Sequence, residues 1–288
     1  MVLRMLLQLM VSLSTFNIRG LGDEIKQKQL DSDCDRYKMD IICLQETKVT
    51  EPYERIYRKS GNKLIILQQF SGRHRGIGFL ISKRMIPCVI EVKQISTNVA
   101  YLDIVLQSKS GVPTKCRIVN AYAPHSRAAE VSPKLREDFY EELTCAIENV
   151  PKHFEIFICG DFNARIGKLS DADLDDDVSQ FVGSFGIGKR NDSGSHLLSF
   201  VINNDLFVCN TAFKHKSRHI TTRTGYIRDP SDHSKTKPIY SQIDYVLCRR
   251  RFKGTLVDSR AFGGTHTDSD HKLVCAKFQF QVGSVVQW

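Results

Sequence analysis

Short apolar runs bounded by polar residues constrain this chain most: LSTFNIRG, DIICLQETK, RGIGFLIS, CRIVNAYAP, EIFICGDFN, LFVCNTAF, SQIDYVLC and KLVCAKFQF. Their length and their wealth of Ile, Val, Phe and Cys suit strands, whose branched and aromatic side chains pack well on a pleated surface. The runs follow neither a strict βαβ alternation nor a series of hairpins alone. The expected class is therefore α/β of the α+β kind, a four-layered sandwich of two packed mixed β-sheets flanked by helices.

Helical patterns separate some of the runs. Asp23 to Lys38 is polar with scattered apolar positions. The clearest helix follows Val131, with Ser132 as N-cap, Pro133 in the first turn, Leu135, Phe139, Leu143 and Ile147 at four-residue spacing, and Pro151 as the stop. A third is expected over Gly194 to Asn204, with Leu197, Leu198 and Val201 on its apolar side.

With no linker and no internal repeat, one domain is expected over residues 14–280, with 1–13 as a short leader or the start of the first strand and 281–288 as a tail. The opening MVLRMLLQLMVSL puts Arg4 before an apolar stretch, as a signal peptide does. That stretch is short, is broken by Gln8 and has no small-residue cleavage site before STFNIRG, so a strand with a short leader is the better reading. Nothing later approaches the ~18 apolar residues of a membrane span. No membrane partner is expected, and the chain is taken as a monomer.

Charge and cysteines narrow the setting. There are 41 Lys and Arg against 32 Asp and Glu, a formal net charge of +9 that favours a polyanionic partner. The nine cysteines form no C-x-x-C pair and no zinc-spaced Cys/His cluster. Several sit in apolar runs, where a reduced thiol packs as a small hydrophobe, and this points to a reducing intracellular compartment.

Two other motifs are set aside. DADLDDD, Asp171 to Asp177, has Asp176 where a calcium loop needs glycine and Val182 where it needs glutamate. GSFGIG has the glycines of a dinucleotide fingerprint, but no strand precedes it and no helix begins within it.

What remains is a set of oxygen donors at strand ends: Asn17, Glu46, Asp161, Asn163, Asp244 and Asp270, with one imidazole, His271. Each alone has a plain reading as a turn residue, cap or surface acid. TDSDHKLV is harder to set aside, because adjacent ionisable residues before a strand are costly to bury unless paired or used. Hard oxygen donors without thiolates suit Mg²⁺ or Mn²⁺, and Mg²⁺ commonly binds through one or two carboxylates together with substrate phosphates.

In order along the chain, FNIRG, LQETK, NAYAP, GDFNA, SQIDYVL and SDHKL resemble the blocks of the endonuclease/exonuclease/phosphatase superfamily, which includes DNase I and the abasic-site endonucleases. The stretch GIGKRNDSGSHLLSFVINNDLFVCNT is similar to one in the endonuclease domain of RTE and Bov-B non-LTR retrotransposons and of craniofacial development protein 2-like proteins. The resemblance implies a DNase I-like fold and a metal-dependent phosphodiesterase, most like an endonuclease that nicks one DNA strand and leaves a 3′-hydroxyl. It further implies an intracellular, nuclear protein with Mg²⁺ or Mn²⁺ as cofactor and DNA as partner.

The same resemblance assigns roles. Glu46 is the main metal ligand with Asn17 nearby, and Asp270 supports the metal side. Asp161 activates the attacking water, with Asn163 holding it or the phosphate. His271, oriented by Asp244, meets the scissile phosphate, and Tyr122 meets the phosphate or leaving group. Thr222, Arg223, Ser241 and Arg190 are the expected substrate contacts, and Arg73, Arg75, Lys189 and Arg218 are further candidates for a DNA-facing surface. Where abasic-site enzymes carry an aromatic pocket residue, this chain has Ser241, so little preference for an abasic sugar is expected.

Three departures stand out. Arg19 takes the place of an acid two residues after the motif asparagine, which argues against a second metal. Arg223 stands where retrotransposon relatives often have tryptophan. No reverse transcriptase follows, as in a truncated or decaying copy. Two other readings stay open: a phosphatase or sphingomyelinase acting on a small phosphoester, and a non-catalytic remnant that binds nucleic acid or protein.

Overall fold

Strand β1 (Gln8–Asn17) turns Val11 and Leu13 into a core between two sheets and Phe16 into a second core beneath a helix, the period-two alternation of a buried strand. The computed structural model describes residues 8–69, 76–107, 113–125, 132–148, 150–151, 153–175, 177–229 and 232–281. Within the described residues β1 already runs from Gln8, inside the stretch taken as leader or first strand. Arg73 and Arg75 lie outside the described residues, as do residues 1–7 and 282–288.

The first sheet holds β1, β2 (Ile41–Gln45), β3 (Tyr53–Ile56), β4 (Lys63–Ile66), β5 (Ile77–Ile81), β14 (Leu256–Phe262) and β15 (Leu273–Gln281). Its seven strands run in the order β14-β15-β1-β2-β5-β4-β3, with β1 and β2 parallel. The second holds β6 (Val89–Gln94), β7 (Val99–Leu106), β8 (Thr114–Tyr122), β9 (Phe154–Asp161), β10 (Leu206–Val208) and β13 (Asp244–Arg249). Its order is β10-β13-β9-β8-β7-β6, with β8 and β9 parallel. β11 (Arg223–Asp229) and β12 (Asp232–Ser241) pair separately as a two-stranded ribbon.

Three apolar cores separate the layers. Between the sheets lie Val11, Cys43, Phe79, Ile118, Phe157, Val246 and Phe278. Helix α1 (Glu24–Tyr37) covers the first sheet with Leu30 and Cys34, against Phe16, Leu44 and Leu80. Helices α2 (Pro133–Glu148) and α3 (Asp192–Asn203) cover the second with Phe139, Leu143, Leu197 and Val201, against Val119, Ile158 and Tyr245. The expected four-layered sandwich of two mixed sheets flanked by helices is the observed fold.

Local differences have local causes. α3 starts at Asp192, ahead of the expected Gly194, because the side chain of Asn191 accepts from the Gly194 N–H at 2.9 Å and caps the helix. In α2, Leu135 is exposed, since the apolar face packs only from Phe139 onward. The LFVCNTAF strand stops at Val208 because Asn210 takes over the ladder's role: its amide donates to the Asp244 carbonyl and its oxygen accepts from the Val246 N–H, both at 2.9 Å.

Candidate active site

At one end of the sandwich the inward-facing strand positions change from apolar to polar. Val11 and Leu13 of β1 are followed by Thr15 and Asn17, Ile41 and Cys43 of β2 by Gln45, and Cys116 and Ile118 of β8 by Asn120 and Tyr122. Phe157 and Cys159 of β9 are followed by Asp161, and β13 enters through Asp244 before Val246 and Cys248. Because alternation is preserved, the polar groups stay on the inner face and meet between the sheets.

They form two layers. In the lower one, Thr15 donates to Gln45 Oε1 at 3.0 Å, and Gln45 Nε2 donates to Asn120 Oδ1 at 2.7 Å. Asn120 Nδ2 donates to the Leu44 and Gly78 carbonyls at 3.0 and 2.8 Å, tying the second sheet to the first. Above it, Asn17 Nδ2 donates to Glu46 Oε1 at 3.0 Å and to Asp161 Oδ2 at 2.9 Å. Tyr122 donates its hydroxyl to Glu46 Oε1 at 2.9 Å, while Lys48 Nζ lies 3.2 Å from Glu46 Oε2. The Asn163 N–H donates to Asp161 Oδ1 at 2.9 Å, and its side-chain amide donates to the Ala123 carbonyl at 3.0 Å.

Asp161 and Asp244 are partners across the antiparallel β9–β13 pair. His271 Nδ1 lies 3.0 and 3.1 Å from the two oxygens of Asp244 and 3.8 Å from Asp161 Oδ2. Thr222 Oγ1 accepts from the Ile243 and Asp244 N–H groups at 3.0 and 3.2 Å, which fixes the start of β13. The Ser269 hydroxyl donates to the Asn17 carbonyl at 2.7 Å and its oxygen accepts from the His271 N–H at 3.1 Å, locking the histidine segment to the end of β1.

Backbone strain gathers at the same place. Arg19, Glu46, Lys48 and Asn163 all have left-handed φ values, between 47° and 54°. Such a conformation costs a non-glycine residue about 1–2 kcal/mol and persists only where surrounding bonds over-determine it. Here Gly20 and Leu21 N–H donate to the Glu46 and Thr47 carbonyls at 2.7 Å each, zipping the exits of β1 and β2 together.

The Endonuclease/Exonuclease/phosphatase family matches residues 14–271. The chain belongs to that family. Two curated relatives, craniofacial development protein 2 of Tragulus javanicus and of Bos taurus, are each 28% identical over 277 residues, 94% of this chain. The chain spans 42% and 41% of their lengths. The endonuclease domain of TRAS1, a telomere-specific non-LTR retrotransposon, superimposes with a TM-score of 0.62 at 13% identity, over 95% of this chain and 100% of that one. The catalytic domain of Xenopus laevis APE2 gives 0.65 at 16% identity, over 95% and 94%. A Neisseria 3′ phosphatase, NExo, bound to product DNA hairpin, gives 0.59 at 18% identity, over 94% and 100%. At these identities the likeness to solved structures is one of fold.

In this endonuclease/exonuclease/phosphatase domain, burial shapes the charges. Burial, then the facing Asp244, pushes the Asp161 carboxyl up to about 7 against the pull of His271 and Asn17. For His271 burial acts downward, but Asp244 and then Asp161 outweigh it and the pKa rises to about 9. Burial acts upward on Glu46, yet hydrogen bonds from Asn17, Tyr122 and Lys48 hold its carboxyl below the usual value. Asp270 is likewise held low, burial being outweighed by His271, Arg223 and Arg19.

Two groups could hold a cation. Ligand atoms of Asp161, Asp244 and His271 lie within 4.8 Å of one another. In that trio His271 Nδ1 lies against the Asp244 carboxylate and its pKa is raised, which favours an ion pair there over a ligand set, since a metal needs the neutral imidazole. Glu46, Asn17 and Asp270 offer the hard oxygens that suit a divalent ion, although Asn17 turns its Nδ2 to Glu46 and Asp161 while its Oδ1 accepts from the Arg19 N–H at 3.2 Å. Asp270 Oδ1 is buried without an aligned hydrogen-bond donor, although Arg19 Nη1 lies 3.1 Å away, so its lone pairs are not fully used.

The fold thus unites Asn17, Glu46, Tyr122, Asp161, Asn163, Asp244 and His271, with Asp270 beside the histidine. Ser241 closes β12 as the register partner of Arg223. Thr222, expected to touch substrate, is 1% exposed and supports Asp244 instead. Arg190 pairs with Asp173 at 2.8 Å and donates to the Ile166 carbonyl at 3.1 Å, a tie within its own loop. Sequence reasoning missed Lys48, Ser269 and the Thr15–Gln45–Asn120 layer. The layer's signal was present in polar residues at inward strand positions.

Proposed function

We propose that this protein is a divalent-metal-dependent phosphodiesterase that nicks one strand of DNA and leaves a 3′-hydroxyl. The observation that carries the reading is one buried aspartate, Asp161, held between Asn17, the Asn163 N–H and an imidazolium at the open ends of the strands. A carboxyl raised to about 7 is matched to take a proton from water near neutral pH. His271 spends Nδ1 on Asp244, which directs its Nε2–H edge to a phosphoryl oxygen as negative charge builds there. Asn163, fixed by Ala123, is a further donor for the phosphate or leaving group, and the Tyr122 hydroxyl becomes one by exchanging Glu46 for the phosphate. Glu46 and Asn17, with Asp270, would hold Mg²⁺ or Mn²⁺, which supplies Lewis-acid neutralisation of the phosphate.

Three features support DNA as the substrate. The net charge is +9, Lys189 and Arg218 are exposed, and the β11–β12 ribbon exposes Tyr226 and Tyr240 beside basic residues. Aromatic faces among cations suit stacked bases and phosphates. Nuclear location is proposed with that substrate. No helix among the described residues is long and apolar enough to cross a membrane.

The test is supercoiled plasmid incubated with purified protein in Mg²⁺, Mn²⁺ or EDTA. Nicked circles are expected with metal only, and Glu46→Gln is expected to abolish them, since it turns an amide donor toward Asn17 and Tyr122. Nicking in EDTA would remove the metal from the reading. Folded protein inert under every metal would favour the non-catalytic alternative. A duplex with one abasic analogue is expected to be cut there at most a few-fold faster than at its best ordinary site.

A further inference from the structure

Arg19 and Arg223, from two distant segments of the chain, meet on one carboxylate. Arg19 Nη1 lies 3.1 Å from Asp270 Oδ1, and Arg223 Nε donates to Asp270 Oδ2 at 3.0 Å. His271 Nε2 is 3.9 Å from the same Oδ1, so three cationic groups converge there. The arrangement is built in rather than a chance surface pairing. Arg19 is held in its left-handed conformation beside the zipped strand exits, and Arg223 bridges His271 backbone to backbone. The Thr224 N–H donates to the Asp270 carbonyl at 2.8 Å and the Lys272 N–H to the Thr222 carbonyl at 2.7 Å, fixing that register.

Both guanidiniums remain reachable, with side chains 51% and 34% exposed. A groove of about 680 Å³ opens beside them, lined by Arg19, Tyr226, His266, Ser269, His271 and Lys272 among others. Among the lining residues Arg19, His271 and Lys272 outnumber the acids Asp268 and Asp270, and Arg223 joins the groove through its bond to Asp270. The volume suits one nucleotide, and a guanidinium presents a fork that matches phosphate.

We propose that Arg19 and Arg223 form a second phosphate subsite, which takes the phosphate next to the one that is cut while the groove takes that nucleotide's sugar and base. Asp270 keeps the two guanidiniums in place when no strand is bound. The proposal rests on the phosphodiesterase reading and deepens it: the substrate is a polynucleotide strand, and a lone phosphomonoester leaves this subsite empty.

The test uses the full chain in EDTA, with a fluorescein-labelled 20-mer duplex followed by anisotropy at a series of salt concentrations. Arg19→Gln and Arg223→Gln are each expected to weaken binding by about 5- to 10-fold and to lower the salt slope by about 1, as for one lost phosphate contact. Arg19→Lys, which keeps the charge but not the fork, is expected to recover the slope and part of the affinity. With metal, both Gln variants are expected to lose several times more rate on plasmid than on bis(p-nitrophenyl) phosphate, which carries a single phosphate. Unchanged affinity and slope, or equal losses on both substrates, would overturn the subsite while leaving a nicking wild type intact. A wild type that neither binds duplex nor nicks plasmid would overturn both readings.

Discussion

Asp161 and Asp244 face each other as register partners across β9 and β13, and the imidazole of His271 lies against both, 3.8 Å and 3.0 Å away. Like charges opposite one another in a sheet repel, so the imidazolium is a structural counter-ion as well as a donor. His271→Ala is expected to lose roughly 10²-fold or more in nicking. It is also expected to melt at lower temperature, because two buried carboxylates lose their cation. Single-turnover nicking and thermal melts of the same preparation check both, and wild-type nicking by the variant would rule out His271 as a transition-state donor.

The same cluster sets a pH dependence of stability. Asp244 and Asp161 make His271 hold its proton more tightly in the folded protein, with a pKa of about 9, than in the unfolded chain, where an imidazole titrates near 6.5. Its stabilisation is therefore complete below the lower value and is lost as pH rises through the higher one. Metal-free wild type is expected to lose melting temperature between pH 6.5 and about 9.5, and Asp244→Asn to lose less over that interval. Parallel slopes for the two proteins would place the linkage elsewhere.

Asn120 has its amide shared among Gln45, Leu44 and Gly78 in a fully buried position between the sheets. Replacement by Leu strands the Gln45 amide and overfills a polar layer, a loss of about 2–4 kcal/mol in chemical denaturation. Nicking is expected to fall with it, since Gln45 immediately precedes Glu46. A change under about 1 kcal/mol would mean that water or repacking satisfies the layer.

All nine cysteines are free; Cys145 on α2 is exposed, Cys88 is half-buried and the others are buried. Burial pushes the thiols of Cys34, Cys43, Cys116 and Cys209 far up, away from the reactive thiolate. A thiol reagent is therefore expected to label Cys145 quickly in the native protein, Cys88 slowly, and all nine after denaturation. Several fast-reacting thiols in native protein would contradict this packing.

Local patterns in the sequence determined the layers and the strand ends. Alternation of apolar residues depends only on neighbours two apart, so Phe157 and Cys159 declare one face of a strand, and Asn17, Glu46, Asp161 and Asp244 declare polar ends, without knowledge of the rest of the chain. The caps of the helices are local in the same way, apart from Asn191, which moved one boundary. Tertiary structure alone decided which ends meet. Asn17 and Asp161 share a hydrogen bond across 144 residues because β1 and β9 sit face to face in different sheets, a matter of strand order. It also decided direction: Thr222 turned inward to hold Asp244, Arg190 turned to Asp173, and Arg19 and Arg223 turned to Asp270. A loop side chain points where the backbone and its nearest opposite charge take it, and both are set by the packing of distant segments.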